Sequence, residues 1–161
     1  MSEGFENVKG QIGFCGIWCG SCLGGNGAVQ ELTRKYEQTI KRSQYALERW
    51  CPNEFSFNEF MNSLACVEAM SLCPGCKKGG GNPACEIRTC ASKRNMINCS
   101  QCNELSGCKR IDSMKQNYPR MKDDLRRIRD VDQKELIPKW TSELKDKWPH
   151  CTLLCKSTEE K

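Results

Sequence analysis

The sequence predicts a mostly α protein: a small, irregular cysteine-rich domain with metal-bound loops between amphipathic helices. Three observations carry that prediction. Apolar residues recur at helical spacing in several stretches, and no stretch alternates apolar and polar side chains as a half-buried strand does. Most of the 14 cysteines stand in segments rich in glycine and proline that have no period at all.

Taken in order, residues 13–27 hold Cys15, Cys19 and Cys22 among six glycines, and read as an irregular loop whose amides are free to turn toward sulfur. From Ala28 to Trp50 the residues Val29, Leu32, Tyr36, Ile40, Leu47 and Trp50 fall on one helical face, and Pro52 ends the run. Ser56 followed by Glu59 is a capping signal, and Phe57, Phe60, Met61, Leu64 and Val67 form the stripe of the helix it opens. Residues 73–108 carry seven cysteines with Pro74, Pro83 and the Gly79-Gly80-Gly81 run, and read as loop and turn fixed by metal. The helical pattern resumes after Cys108, breaks near Tyr118-Pro119, and continues through Met121, Leu125 and Ile128 to Leu136, Trp140, Leu144 and Trp148, with Pro138 expected in a first turn. The whole is expected to be a single domain over 1–161, with residues 29–70 as a helical insertion, 113–148 as a helical tail and 149–161 as a terminal cysteine pair.

Hydrophobic residues make up 38% of the chain and aromatics 7%, so the core is thin and other staples are needed. Cysteine supplies them either as disulfides in an oxidising compartment or as ligands in a reducing one. Residues 1–10 include Glu3, Glu6 and Lys9 and have no apolar run of signal-peptide length. The reading is therefore a cytoplasmic protein, with no membrane partner, whose thiols are reduced or ligated.

Three cysteine pairs have the two-residue gap of a metal knuckle: Cys19/Cys22, Cys73/Cys76 and Cys99/Cys102. That gap lets two sulfurs and the nearby amides converge on one ion in a tight turn. Cys85, Cys90 and Cys108 lie close by in the sequence. All-sulfur sites suit zinc or iron–sulfur and exclude magnesium and calcium, which take oxygen.

The run Cys15-Gly16-Ile17-Trp18-Cys19-Gly20-Ser21-Cys22, followed by Cys73-Pro74-Gly75-Cys76, Cys85-Glu86-Ile87-Arg88-Thr89-Cys90-Ala91 and Cys99-Ser100-Gln101-Cys102 with Cys108, resembles the family known as domain of unknown function 3795. Order and spacing agree over about residues 12–111. The ending Trp148-Pro149-His150-Cys151 is similar to that of extended members, which close with a terminal cysteine pair. Here that pair is Cys151 and Cys155, three residues apart rather than two. The resemblance implies a prokaryotic, cytosolic, metal-binding protein and supplies no activity.

With Cys51 and Cys66 set aside as plain buried residues of helical segments, twelve cysteines remain, enough for three four-sulfur sites. Cys73, Cys76, Cys85 and Cys90 form the most local set, since they close a short loop. The triplets Cys15/Cys19/Cys22 and Cys99/Cys102/Cys108 then need partners, from each other or from Cys151 and Cys155. Two or three zinc ions are expected. Structural zinc in an interaction or regulatory module, with another protein as partner, is the first reading.

An iron–sulfur electron carrier or redox sensor is the alternative, because Cys15, Cys19 and Cys22 have the spacing of a three-thiolate cluster site. A nucleic-acid binder is the third. Residues 73–129 carry 13 basic and 5 acidic side chains, among them Lys77, Lys78, Arg88, Lys93, Arg94, Lys109, Arg110, Lys122, Arg126 and Arg129. A four-thiolate zinc centre is a net −2, however, so much of this basicity can offset the metal centres. No hydrolytic constellation or phosphate loop is visible, and the sequence leans away from an enzyme.

Overall fold

The computed structural model describes residues 2–52, 54–116 and 118–148. Their secondary structure is helical, and the one β-type contact among them is an isolated antiparallel bridge between Ile12 and Trp18. Eight α-helices follow in order: α1 Glu3–Val8, α2 Ala28–Ile40, α3 Gln44–Trp50, α4 Phe57–Glu68, α5 Glu86–Lys93, α6 Lys109–Asp112, α7 Met121–Asp130 and α8 Gln133–Lys145.

The expected helix from Ala28 to Trp50 is two helices joined by a 3-10 turn at Lys41–Ser43. The reason lies in the gap between Ile40 and Leu47, where no apolar side chain anchors the chain to a neighbour. Ser56 caps α4 as its spacing foretells, its hydroxyl accepting from the Glu59 amide at 3.3 Å. α2 packs along α4, and Arg34 on one meets Glu68 on the other at 2.7 Å. Cys66 is exposed and Cys51 half-buried, so neither is the buried core residue expected of it.

Two elements depart further from the sequence reading. α1 is a helix where no element was expected; Ser2 caps it and Phe5 and Val8 are buried. α5 lies inside the segment read as loop, where Ile87 and Ala91 supply its buried face. Pro138 falls inside α8 rather than in its first turn, because the cap is Asp132, whose carboxylate accepts from the Lys134 amide at 2.9 Å.

Two apolar clusters hold these elements together. Phe5, Ile12, Trp18 and Ala28 pack with Ile128, Leu136 and Leu144, and Trp140 and Trp148 lean on them. The rings of Phe5 and Trp18 meet edge-on at 5.9 Å, and Trp148 meets Phe5 at 5.6 Å. The indole N–H of Trp148 donates to Glu31 at 2.7 Å, so the end of the described chain is fixed to the start of α2. The second cluster gathers Ile87, Ala91, Leu105, Ile111, Met121 and Leu125 around Cys99 and Cys102. α7 serves both clusters, with Leu125 in one and Ile128 in the other.

Candidate metal centre

Two knuckles are short 3-10 turns, Cys19–Ser21 and Cys99–Gln101, in which the second cysteine's amide donates to the first cysteine's carbonyl at 3.1 Å. Buried asparagines shape both. Asn26 is fully buried and donates to Gly20 O at 3.0 Å, while the Asn98 carboxamide accepts from the Ser100 amide at 2.9 Å. In the third knuckle Gly75 has φ +94°, a conformation that side chains resist, and a further 3-10 turn follows at Cys76–Lys78. The Gln11 side chain lies over this turn and donates to Pro74 O at 3.1 Å.

Backbone contacts bring distant segments side by side. The Cys73 amide donates to Gly24 O at 2.8 Å, two residues from Cys22, and the Cys99 amide donates to Phe14 O at 2.8 Å, next to Cys15. A Cβ built on Gly13 would stand 3.1 Å from Cys76 Sγ and 3.8 Å from Cys15 Sγ, so both sulfurs face that glycine. Burial pushes the Cys19 thiol up to about 12, and among neighbouring thiols Cys76 adds most to the rise, ahead of Cys22 and Cys15. Burial likewise pushes Cys99 up to about 12, with Cys15, Cys108, Cys102 and Cys90 adding to it in that order. Cys15 is pushed up to about 11 by burial, against an amide of Ile17, with Cys76 and Cys85 contributing.

The thiols thus fall into two neighbourhoods. Cys19 and Cys22 stand against Cys73 and Cys76. Cys85, Cys90, Cys99, Cys102 and Cys108 form the other group, and Cys15 stands between the two, beside Cys76 on one side and packed into the second apolar cluster on the other. Around the expected local set of Cys73, Cys76, Cys85 and Cys90 the structure also brings in distant segments, with Cys19 beside Cys76 and Cys15 beside both Cys76 and Cys85. Cys90 lies at the rim of its group, on an open cavity of about 380 Å³ lined also by Lys93, Arg94 and Arg110. Cys151 and Cys155 lie outside the described residues.

Donors converge on the sulfurs. The Gly81 amide donates to Cys73 Sγ at 3.1 Å, the Arg88 amide to Cys85 Sγ at 3.5 Å, and the Arg94 guanidinium to Cys102 Sγ at 3.7 Å. Such donors fix the direction in which each sulfur presents its lone pairs. The twelve described cysteines are all free. As placed, no group of three or more Cys, His, Asp and Glu side chains among the described residues could hold an ion, so ligation would require the thiols to close inward. The donor set, all sulfur with amides aimed at it, fits zinc or iron–sulfur in its chemistry.

Several supporting residues escape a sequence search. The guanidinium of Arg88 donates to the carbonyls of Gly80 and Asn82, and that of Arg129 to the carbonyls of Ser100 and Cys102. Lys122 bonds Ser106 O and Asp112, and Arg126 pairs with Asp123. In the sequence these cations look like a patch for phosphate, whereas in the fold they serve the chain's own carbonyls and carboxylates. Gln11 and Asn26 carry no signal in the sequence beyond their proximity to cysteines.

The fold and its thiol groups define a small helical, cysteine-rich protein built around knuckle turns. The chain belongs to the family described as protein of unknown function (DUF3795), whose model matches residues 11–113. No curated protein and no solved structure matches the chain. The matched span takes in every described cysteine of both thiol groups.

Proposed function

We propose that this protein is a structural zinc protein, an interaction or regulatory module whose thiolate-bound ions do the work of a larger core. The observation that carries the reading is the gathering of free cysteines from distant segments into two neighbourhoods with N–H groups aimed at their sulfurs. Closed four-thiolate zinc sites have no open position for a substrate and contribute folding energy directly, on the order of 10–16 kcal/mol per site in isolated fingers at neutral pH. The thin core gives that energy a role.

The helices α2–α4 support the interaction reading. Tyr45 and Trp50 are each 75% exposed there, and Tyr36 is half exposed. Large aromatic side chains on a surface are a common feature of protein contacts. The same helices carry none of the cysteines of the two thiol groups.

Purified from cells without added metal, the protein should be colourless and hold two or three zinc ions per chain by elemental analysis. A brown preparation with iron and visible absorption would replace this reading with the iron–sulfur alternative.

A further inference from the structure

A cavity of about 60 Å³, open on one side, lies between the segment 16–21 and the helices α7 and α8, and no cysteine lines it. Gly16 and Trp18 supply one side, Trp140 and Glu143 of α8 another, and Arg120, Asp124 and Arg127 the third. Two guanidiniums and two carboxylates thus face one space. None of these four side chains forms a hydrogen bond or ion pair among the described residues. Nearby cations are spent within the fold: Arg94 pairs with Glu104, Lys122 with Asp112 and Arg126 with Asp123.

Asp124 follows Arg120 by four residues and precedes Arg127 by three, so the three share one helix face. Asp124 is half-buried, and burial raises its carboxyl against the pull of both guanidiniums. A carboxylate taken from water without a partner is costly, so this group gains from a cation brought to it.

We propose that this cavity takes the head group of a free α-amino acid, its carboxylate received by Arg120 and Arg127 and its ammonium by Asp124 and Glu143. The charges match. The four lining charges sum to zero, as do those of the ligand, whereas a plain anion or cation leaves two lining charges without an opposite. Guanidiniums meet a carboxylate with paired N–H donors in a plane, which favours them over other cations for this task.

The size fits as well. A water molecule needs roughly 10–15 Å³ of such space, so the cavity admits about four to six non-hydrogen atoms. An ammonium nitrogen, an α-carbon and a carboxylate make up that number, and the amino-acid side chain leaves through the open side. Trp18 and Trp140 pack on each other with ring centroids 5.8 Å apart, giving the cavity the apolar wall behind a few polar groups that small ligands use.

The inference goes beyond the zinc reading and does not depend on it, since no lining residue is a cysteine. Trp18 precedes Cys19 directly, so a ligand resting there gives a regulatory module something to sense.

The test titrates the full chain, with the metal it carries as purified, with glycine, which is the head group without a side chain. NMR follows the indole N–H signals of Trp18 and Trp140, and a saturable shift is expected. Acetate and methylammonium each carry one of the two charges and should bind about tenfold more weakly or worse, the worth of a lost charge-assisted hydrogen bond. Asp124→Asn and Arg127→Gln should each weaken glycine binding by a similar factor. Arg126→Gln, which removes the pair with Asp123, should leave it unchanged. If a variant fails to fold, the comparison of the three ligands on the parent chain decides alone. No saturable shift with glycine, or acetate or methylammonium binding as well as glycine, would overturn the proposal, and neither outcome touches the zinc reading.

Discussion

Arg88 and Cys73 hold the same short loop, residues 80–82. The Arg88 guanidinium donates to Asn82 O at 2.9 Å, and the Gly81 amide, one residue earlier, donates to Cys73 Sγ at 3.1 Å. The backbone amide of Arg88 also faces Cys85 Sγ. One residue on α5 thus positions a sulfur in each thiol group. Arg88→Ala should weaken zinc binding about 10–100-fold, the usual effect of losing an outer partner of a metal ligand. Competition with a chelator measures it. Arg88→Lys should not restore affinity, because an ammonium cannot span both carbonyls as the planar guanidinium does.

Gly80 leaves no room for a side chain. A Cβ there would stand 2.5 Å from Cys73 Sγ and 3.0 Å from the backbone N and O of Gly75. Gly80→Ala should therefore displace the Cys73 knuckle and destabilise the metal-loaded protein by about 1–3 kcal/mol, the usual range for overpacking. Thermal unfolding would read the loss. A variant as stable as the parent would show that the knuckle does not close where the fold holds it.

Cysteines inside and outside the two groups should behave differently. Cys73→Ser is expected to release zinc, whereas Cys51→Ala and Cys66→Ala should keep full metal content, since Cys66 lies on α4 and Cys51 just past the end of α3, both within the insertion. Elemental analysis of the three variants decides it. A loss of zinc in Cys66→Ala would undo the division of the cysteines.

The metal-free and metal-loaded proteins should respond to pH in opposite senses. Without metal, burial holds Cys15 near 11 and Cys19 and Cys99 near 12, above the ordinary 9.0. The unfolded chain then gives up these protons first, so the metal-free fold loses stability as pH rises above about 9 through the folded values. With metal the ligands are thiolates already, and protons compete for them as pH falls. Urea titrations at several pH values, with and without chelator, should show the two slopes.

Removing residues 149–161 tests whether Cys151 and Cys155 complete a site. If ten sulfurs suffice, the truncated chain keeps its full zinc content. If Cys151 and Cys155 complete a site, it loses metal and its thiols become reactive. Counting ions by native mass spectrometry in both chains distinguishes these outcomes.

Much of the helical framework was legible because its signals are local. The Ser56 cap and the stripe of Met121, Leu125 and Ile128 depend on residues a few positions apart and are found where the pattern puts them, whereas the break expected at Tyr118-Pro119 comes earlier, at the end of α6 after Asp112. α5 escaped because two of its eight residues bury its face and glycines and cysteines surround it. The site was legible as a set of cysteines and not as a map of neighbours. Loop closure favours partners close in sequence, but the amides of Cys73 and Cys99 answer to the carbonyls of Gly24 and Phe14, which no local rule predicts. The roles of Arg88 and Arg129 were hidden for the same reason, since a guanidinium that binds a distant carbonyl reads in sequence as surface charge.

The bond from Trp148 to Glu31 spans 117 positions. During synthesis at about 5–20 residues per second, the aromatic cluster around Phe5 and Trp18 stays incomplete until the last described residue has left the ribosome. For several seconds the nascent chain carries Phe5 and Trp18 without the apolar cover that Trp140 and Trp148 give. Such a chain closes its first helix against its last, so this cluster is completed only after the described residues have been made rather than along the way.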